Sequence, residues 1–264
     1  MRKEEGETAM STITNTALQL RAQLTATGAP FEVIELDIAG RPTKVFRNAF
    51  PHLPALLNSA RVHGDKEFMR YEGDAWTFTR FFAAVDALAA RLQQQLEIHP
   101  GDRVAIAMRN QPEWAVAFAA VGLLGAVPAP LNSFGLHDEL LDAMRTVQPR
   151  LLICDAARLA LLAADLKALE CRAIVVGAAP GAAGDALDFA SLIAPGAPAI
   201  AATPEPAADD PALILFTSGA GSRAKAVLST QRALCQALFN IDYIGTHAAM
   251  CSPKAVAAMI ARGH

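Results

Sequence analysis

Gly101 to Asn132 reads GDRVAIAMRNQPEWAVAFAAVGLLGAVPAPLN, and this stretch decides the fold. Arg103–Met108 is a short apolar run containing Val and Ile, as a buried strand requires. Asn110 to Gly122 has the marks of a helix. Asn110 is placed to cap it, Pro112 falls in its first turn, and Glu113 stands three residues after the cap. Val127–Leu131 is a second apolar run. Strand, helix and strand in this order make a βαβ unit, whose two strands lie parallel because the helix carries the chain back.

The alternation continues outward. Downstream, a helix over His137 to Thr146 stops before Pro149. Leu151–Cys154 then reads as a strand, Ala156–Leu169 as a helix and Ala173–Val176 as a strand. Upstream, Phe68–Tyr71 and Ala75–Phe78 flank Glu72-Gly73-Asp74, a hairpin with a glycine turn. Thr79 is placed to cap the next helix. Its apolar positions Phe82, Val85, Leu88, Ala89, Leu92 and Leu96 fall three or four apart, so one face is buried. Pro100-Gly101-Asp102 ends it. Thr16 to Gln23 suits a short helix and Phe31–Leu36 a half-exposed strand. Strands rich in Val, Ile and Leu, separated by helices, predict an α/β fold with a mostly parallel sheet flanked by helices. Gly177 to Asp210 is rich in Ala, Gly and Pro, with one weak helix near Asp185–Ile193, and reads as a surface excursion. Ala212–Phe216 is a further buried strand. A helix is expected to start near Ser229 or Thr230 and run through Phe239. Residues 1–30 read as a weakly ordered segment and 31–264 as one domain.

Composition removes several classes of function. The chain has 264 residues, 53% of them hydrophobic and 19% charged, which excludes disorder. Lys and Arg number 23 against 26 Asp and Glu, a net charge of −3, so no basic stripe argues for nucleic acid. Cys154, Cys171, Cys235 and Cys251 form no CxxC pair, and no two of the six His residues have ligand spacing, so no metal site is expected. The N-terminal MRKEEGETAM is charged and has no apolar run, which points away from a signal peptide and toward a cytoplasmic location with reduced thiols. Trp114 to Leu131 carries no charge, but Gly122, Gly125, Pro128 and Pro130 interrupt it. It reads as a buried helix followed by a buried strand, not a membrane span.

One segment carries chemistry: LILFTSGAGSRAKAV, Leu213 to Val227. A buried strand delivers the backbone to a loop of small residues. Small residues let backbone N–H groups approach an anion closely. Thr217, Ser218 and Ser222 offer hydroxyl donors, and Lys225 a point charge. Phosphate is the ligand this suits. The Walker loop is not matched, because Ala224 stands where its second glycine belongs and Ala226 where its hydroxyl belongs. The dinucleotide fingerprint matches at Gly219, Gly221 and Ala224, with Asp242 as the acidic residue 18 beyond Ala224, but few residues follow for the rest of such a fold. A plain Gly/Ser turn with a solvated Lys225 is the remaining reading.

The loop resembles the phosphate loop of the adenylate-forming (AMP-binding) superfamily, whose pattern is Y/F-T-S-G-[ST]-T-G-x-P-K-G-V. Phe216-Thr217-Ser218-Gly219, Lys225 and Val227 match it. Gly101-Asp102-Arg103-Val104-Ala105-Ile106, Asn110 with Pro112-Glu113-Trp114, and Gly125 to Asn132 fall in that family's order and spacing, as does the hairpin with Trp76-Thr77-Phe78. Together these cover about residues 45 to 240. Departures stand at Ala220-Gly221-Ser222, where the family has Thr/Ser-Thr-Gly, and at Ala224 and Ala226, where it has Pro and Gly. Gln231 stands where the family often has His. Each lost charge-assisted hydrogen bond costs about 1.5–3 kcal/mol of phosphate affinity.

The resemblance implies an incomplete N-terminal domain of the adenylate-forming fold. It implies an acyl-CoA synthetase-like ligase that uses ATP with magnesium to activate a carboxylic acid, expected to be a fatty acid. The acyl-adenylate is then the donor for thioester formation with coenzyme A. By the same resemblance Thr217, Ser218, Gly219, Gly221, Ser222 and Lys225 hold the ATP phosphates. The family's later motifs and its C-terminal domain with the catalytic lysine are not found in Cys235 to His264, so the chain alone is expected to be inactive. No catalytic residue is assigned: Asp102, Asp155 and Glu113 read as a turn residue, a helix-start residue and a capping partner, and His137 and His247 as surface or helix residues. A sheet cut midway is expected to expose an edge and self-associate. The alternatives are a degenerate nucleotide-binding or interaction module without activity, and a small dinucleotide-binding protein.

Overall fold

The structure is a computed structural model that describes residues 17–178, 184–217, 224–252 and 254. Two compact units are present: Pro51–Leu234, and Met1–Phe50 with Cys235–His264.

The smaller unit begins with a helix over residues 17–25 (α1). Val33–Ile38 (β1) and Arg41–Phe46 (β2) follow as an antiparallel hairpin. The expected strand at 31–36 is β1, shifted by two residues. β2 was not foreseen, because Arg41, Pro42 and Lys44 break its alternation. The rings of Phe31, Phe46, Phe239 and Tyr243 pack together, with Phe31 and Phe239 centred 5.2 Å apart. The Gln236 side chain accepts from the Phe46 N–H at 2.7 Å and donates to its carbonyl at 2.9 Å, which satisfies both groups.

The larger unit opens with Leu53–Ser59 (α2). Glu67–Tyr71 (β3) and Asp74–Thr77 (β4) form the expected hairpin, turning through Glu72 and Gly73 at φ 49° and 86°. Phe78–Gln94 (α3) follows, and its cap is Thr77, not Thr79. Thr77 is extended and its hydroxyl accepts from the Arg80 N–H at 3.1 Å. Arg103–Ala107 (β5) leads to Pro112–Leu123 (α4), whose N-cap is Gln111 and not Asn110. Proline forces the residue before it out of the helical region, and Gln111 obeys with φ −155° and ψ 162°. Glu113 therefore has no Asn110 cap to answer. Gly122 in α4 admits Leu53 of α2, since a Cβ there would lie 2.7 Å from Leu53 Cδ2.

Val127–Pro130 (β6), His137–Val147 (α5), Leu151–Asp155 (β7), Ala156–Leu162 (α6) and Arg172–Val176 (β8) continue the alternation. α6 ends seven residues earlier than expected, in consecutive turns closed by Leu169 N–H to Asp165 O and Cys171 N–H to Leu166 O. The excursion holds Leu187–Asp188 (β9) and Phe189–Ile193 (α7), shorter than the helix expected there. Strand order is β6-β5-β7-β8-β9, all parallel. One face carries Ile106, Ile153 and Ile174 in register against α3 and α4. The other carries Ala105, Leu152 and Ala173 against α5 and α6. Both faces are covered, so the unbroken apolar strands are what a parallel sheet needs.

Pro211–Thr217 (β10) pairs antiparallel with Lys225–Thr230 (β11), and Gln231–Cys251 (α8) follows. β11 was not foreseen between the Leu213–Val227 segment and the helix. Among the described residues no helix is long and apolar enough to cross a membrane.

Candidate functional site

In a parallel α/β sheet the loops at the carboxyl ends of the strands carry the ligand. β10 reaches that edge without joining the ladder. Its Ile214 packs with Val127 and Ala129 of β6. Pro211 shares a cleft with Gly101 and Val127, at the start of β6, while Phe216 shares a cavity with Asn132, just past its end. β10 thus runs parallel to β6, and the chain leaves Thr217 at the ligand edge of the sheet. The missing ladder has a covalent cause. The Val127 and Leu131 N–H groups bond to β5's side, at Asp102 O and Ile106 O. The outward positions between them are Pro128 and Pro130, which have no N–H to give.

Thr217 and Lys225 face each other where the β10–β11 hairpin opens. The Thr217 hydroxyl donates to the Lys225 carbonyl at 3.5 Å, and both residues are exposed. Ser218, Gly219, Gly221 and Ser222 lie outside the described residues. The dinucleotide fingerprint needs a helix opening directly at its glycines. Here the chain enters β11, and Asp242 lies inside α8, so that reading loses its context.

Beside the hairpin mouth, Phe216 and Ala224 border a cavity of roughly 560 Å³ walled by α5. Asp138, Glu139 and Asp142 line it together with Arg145. Carboxylates outnumber cations on this wall, so the α5 side of the cavity is unfavourable to an anion. Asn132 organises the loop leading into α5: its side-chain N–H₂ donates to Glu139 at 2.8 Å and its oxygen accepts from the Phe134 N–H at 3.0 Å. His137 begins α5 between the Asp165 and Asp138 carboxylates, at 2.9 and 2.8 Å. Bonding to Asp165 first, and then to Asp138, raises its pKa above the ordinary imidazole value.

The switch point between β5 and β7 is filled from within the chain. Asp155 caps α6 through the Arg158 N–H at 3.0 Å and also accepts from the Arg109 N–H at 3.1 Å. The Arg158 guanidinium pairs with Asp155 at 3.2 Å and donates to the Ser133 carbonyl, so the Asp155–Arg158 pair ties together the loops after β5, β6 and β7. Arg109 in turn stacks over Phe134, 3.4 Å from its ring centre. The spacing of Asp155 and Arg158 on one helical turn was the available signal for this clamp. Asp102 accepts from the His99 N–H, as a turn residue does. His247 lies on α8 with Nε2 3.0 Å from the Ala17 carbonyl. Burial pushes the Cys154 and Cys171 thiols up to about 12, so both are inert at neutral pH. No group of three potential metal ligands occurs among the described residues.

A parallel sheet covered on both faces, with a β10–β11 hairpin opening at its carboxyl edge, defines the class: an α/β domain. The AMP-binding enzyme family model matches residues 56–261, and the chain belongs to that family. It is 28% identical over 198 residues to crotonobetaine/carnitine–CoA ligase of Salmonella paratyphi A, which covers 72% of this chain and 37% of that protein. It is 32% identical over 97 residues to mouse long-chain fatty acid transport protein 6, covering 37% of this chain and 16% of that one. The anthranilate–CoA ligase AuaEII, solved in complex with anthranoyl-AMP, superposes with a TM-score of 0.63 at 19% identity, over 70% of this chain and 35% of that one. The fold is therefore that of adenylate-forming enzymes. The chain spans 37% of the length of the crotonobetaine/carnitine–CoA ligases it matches.

Proposed function

We propose that this chain supplies the phosphate-binding part of an ATP-dependent acyl-CoA ligase that activates a carboxylic acid, of the fatty acid class, as its adenylate. The observation that carries this reading is the placement of Thr217 and Lys225 opposite each other at the ligand edge of the sheet, in a chain of the AMP-binding family. Thr217, Ser218, Gly219, Gly221, Ser222 and Lys225 hold the β- and γ-phosphates in this reading. Lys225 offsets phosphate charge, and the hydroxyls of Thr217, Ser218 and Ser222 donate hydrogen bonds. The weak bond from Thr217 to the Lys225 carbonyl is one a phosphate oxygen readily displaces. Magnesium enters this reading as the companion of the triphosphate, lowering its charge. Residues 31–264 act here as the N-terminal portion of the adenylation domain, in the cytoplasm. The coverage of 37% supports a further step: the chain binds nucleotide but does not by itself complete acid activation or transfer to coenzyme A.

Titration calorimetry with ATP, on the wild type and on Lys225→Ala, tests the cradle. Heat lost in the variant is the expected result, and equal heats in both proteins overturn it. ATP–pyrophosphate exchange with added fatty acids tests the second part. No exchange above background is expected, and robust exchange by this chain alone refutes it. A second reading, a nucleotide-binding or interaction module without catalysis, is favoured by Ala220, Ala224 and Ala226 in place of the family's residues. ATP binding by this chain, with no exchange even when it is embedded in the sequence of a complete ligase, is the outcome that selects it.

A further inference from the structure

The β10–β11 hairpin has no ladder to the parallel sheet, so its place beside that sheet is set by other contacts. Ile214 packs with Val127, Ala129 and Val147. That contact is apolar and carries no direction. Direction comes from hydrogen bonds, and Gln231 supplies them at the base of the hairpin. It follows β11 directly and is 1% exposed. Its backbone N–H donates to the Asp210 carbonyl at 2.9 Å. Its side-chain oxygen accepts from the Leu53 N–H at 2.8 Å, and its side-chain nitrogen donates to the Pro211 carbonyl at 3.1 Å. The partners settle which end of the amide is which, since an N–H only donates and a carbonyl only accepts. Leu53 starts the α2 that packs on α4, where a Cβ on Gly122 would meet it at 2.7 Å. A run of direct contacts therefore leads from α4, which covers the sheet, through Leu53 and Gln231 to Pro211, the first residue of β10. Thr217 stands at the far end of that strand, six residues on, or about 20 Å.

We propose that Gln231 is the positioning residue of the candidate site: a buried, neutral donor–acceptor bridge that fixes the β10–β11 hairpin, and with it Thr217 and Lys225, against the parallel sheet. The bridge needs an acceptor for Leu53 and a donor for Pro211 in one side chain. A carboxamide has both without charge, and so does neutral imidazole. A carboxylate accepts but cannot donate, and an imidazolium donates but cannot accept. The inference rests on the reading of Thr217 and Lys225 as site residues, and its test uses no nucleotide. The phosphate reading fails separately, by absent ATP heat in the wild type, and the test below still decides the role of Gln231.

Two substitutions give the bridge opposite responses to pH. In Gln231→Glu the carboxylate keeps Leu53 and loses Pro211, and a proton restores the donor. Burial and the Pro211 carbonyl raise the folded pKa of the new carboxyl above its unfolded value of about 4.3, so this variant approaches the wild type as pH falls. In Gln231→His the neutral ring spans both partners, and protonation removes the acceptor. Its folded pKa lies below the unfolded value of about 6.5, so this variant departs from the wild type as pH falls. The ionisable groups beside the bridge are His52 and Glu205 toward α2, and Asp209, Asp210 and Arg232 toward the hairpin. All three proteins share them, so each variant is compared with the wild type at the same pH. The measurement is the amide resonances of Thr217 and Lys225 in the full chain, at about pH 5.5 and about pH 7.5. Gln231→Glu is expected to displace both resonances at the higher pH and return them toward the wild type at the lower. Gln231→His is expected to match the wild type at the higher pH and to displace them at the lower. Wild-type resonances in both variants at both pH values, with lowered urea midpoints, overturn the proposal, because the bridge then adds stability without placing the hairpin. Displacement by Gln231→His that is equal at the two pH values also overturns it, because side-chain shape and not the donor–acceptor pair is then what counts.

Discussion

Gln231 shows how one polar residue holds a fold. It is buried, with a relative exposure of 1%. Its side-chain oxygen accepts from the Leu53 N–H at 2.8 Å, and its nitrogen donates to the Pro211 carbonyl at 3.1 Å. It thereby ties the start of α2 to the start of β10, the strand that leads to the candidate site. Gln231→Ala leaves both backbone groups unpaired. Urea unfolding is expected to show a loss of about 2 kcal/mol or more. His137 makes a different contribution, because its charge matters. Its carboxylate partners raise its folded pKa. Such a group adds stability that is fully present below the unfolded value of about 6.5 and is lost as pH rises through the higher folded value. The melting temperature of His137→Gln is therefore expected to fall below that of the wild type at about pH 5.5. The gap is expected to close toward about pH 8.5.

Among the elements, the βαβ alternation was legible, while the ends of elements were not. β5, α4, β6, α5, β7 and β8 lie within a residue or two of the apolar runs that announced them, because burial on both faces leaves a strong pattern. Caps were misplaced where two candidates stood close together. Thr77 and Thr79 are alike in composition, and only the extended backbone of Thr77 decides between them. Thr77→Ala is expected to cost about 1 kcal/mol in chemical denaturation, with Thr79→Ala costing clearly less. β11 was missed for another reason. A strand that pairs along one edge and stays exposed has no periodic burial to report, and its Lys, Ser and Thr read as loop. The candidate site shares that fate. Thr217 and Lys225 were nameable from the loop pattern, but their opposition across a hairpin needed the register of β10 with β11. The Asp155–Arg158 half of the clamp was signalled by its spacing on one helical turn, but its reach to Ser133 joins residues distant in sequence, so no local pattern contained that contact.

In the larger unit taken whole, the two faces of the parallel sheet set different tolerances, and these follow from which side chains each presents. Ile106, Ile153 and Ile174 give α3 and α4 a thick layer of branched side chains. Ala105 and Ala173 flank Leu152 on the opposite face and let α5 and α6 approach closely. That approach matters for the site, because α5 walls the cavity beside Phe216 and Ala224. Removing one methyl from the thick face leaves a small void, so Ile106→Val is expected to cost about 1 kcal/mol. Adding two methyls on the thin face has no space to fill, since Ala105 is fully buried. Ala105→Val is expected to cost about 1–3 kcal/mol through overpacking against α5, and to shift the helix that borders the hairpin mouth. The two variants separate packing from site geometry. Ile106→Val is expected to lower the urea midpoint and leave ATP titration heats unchanged. Ala105→Val is expected to lower both. Unchanged ATP heats in a folded Ala105→Val protein would disconnect the α5 wall from the hairpin mouth.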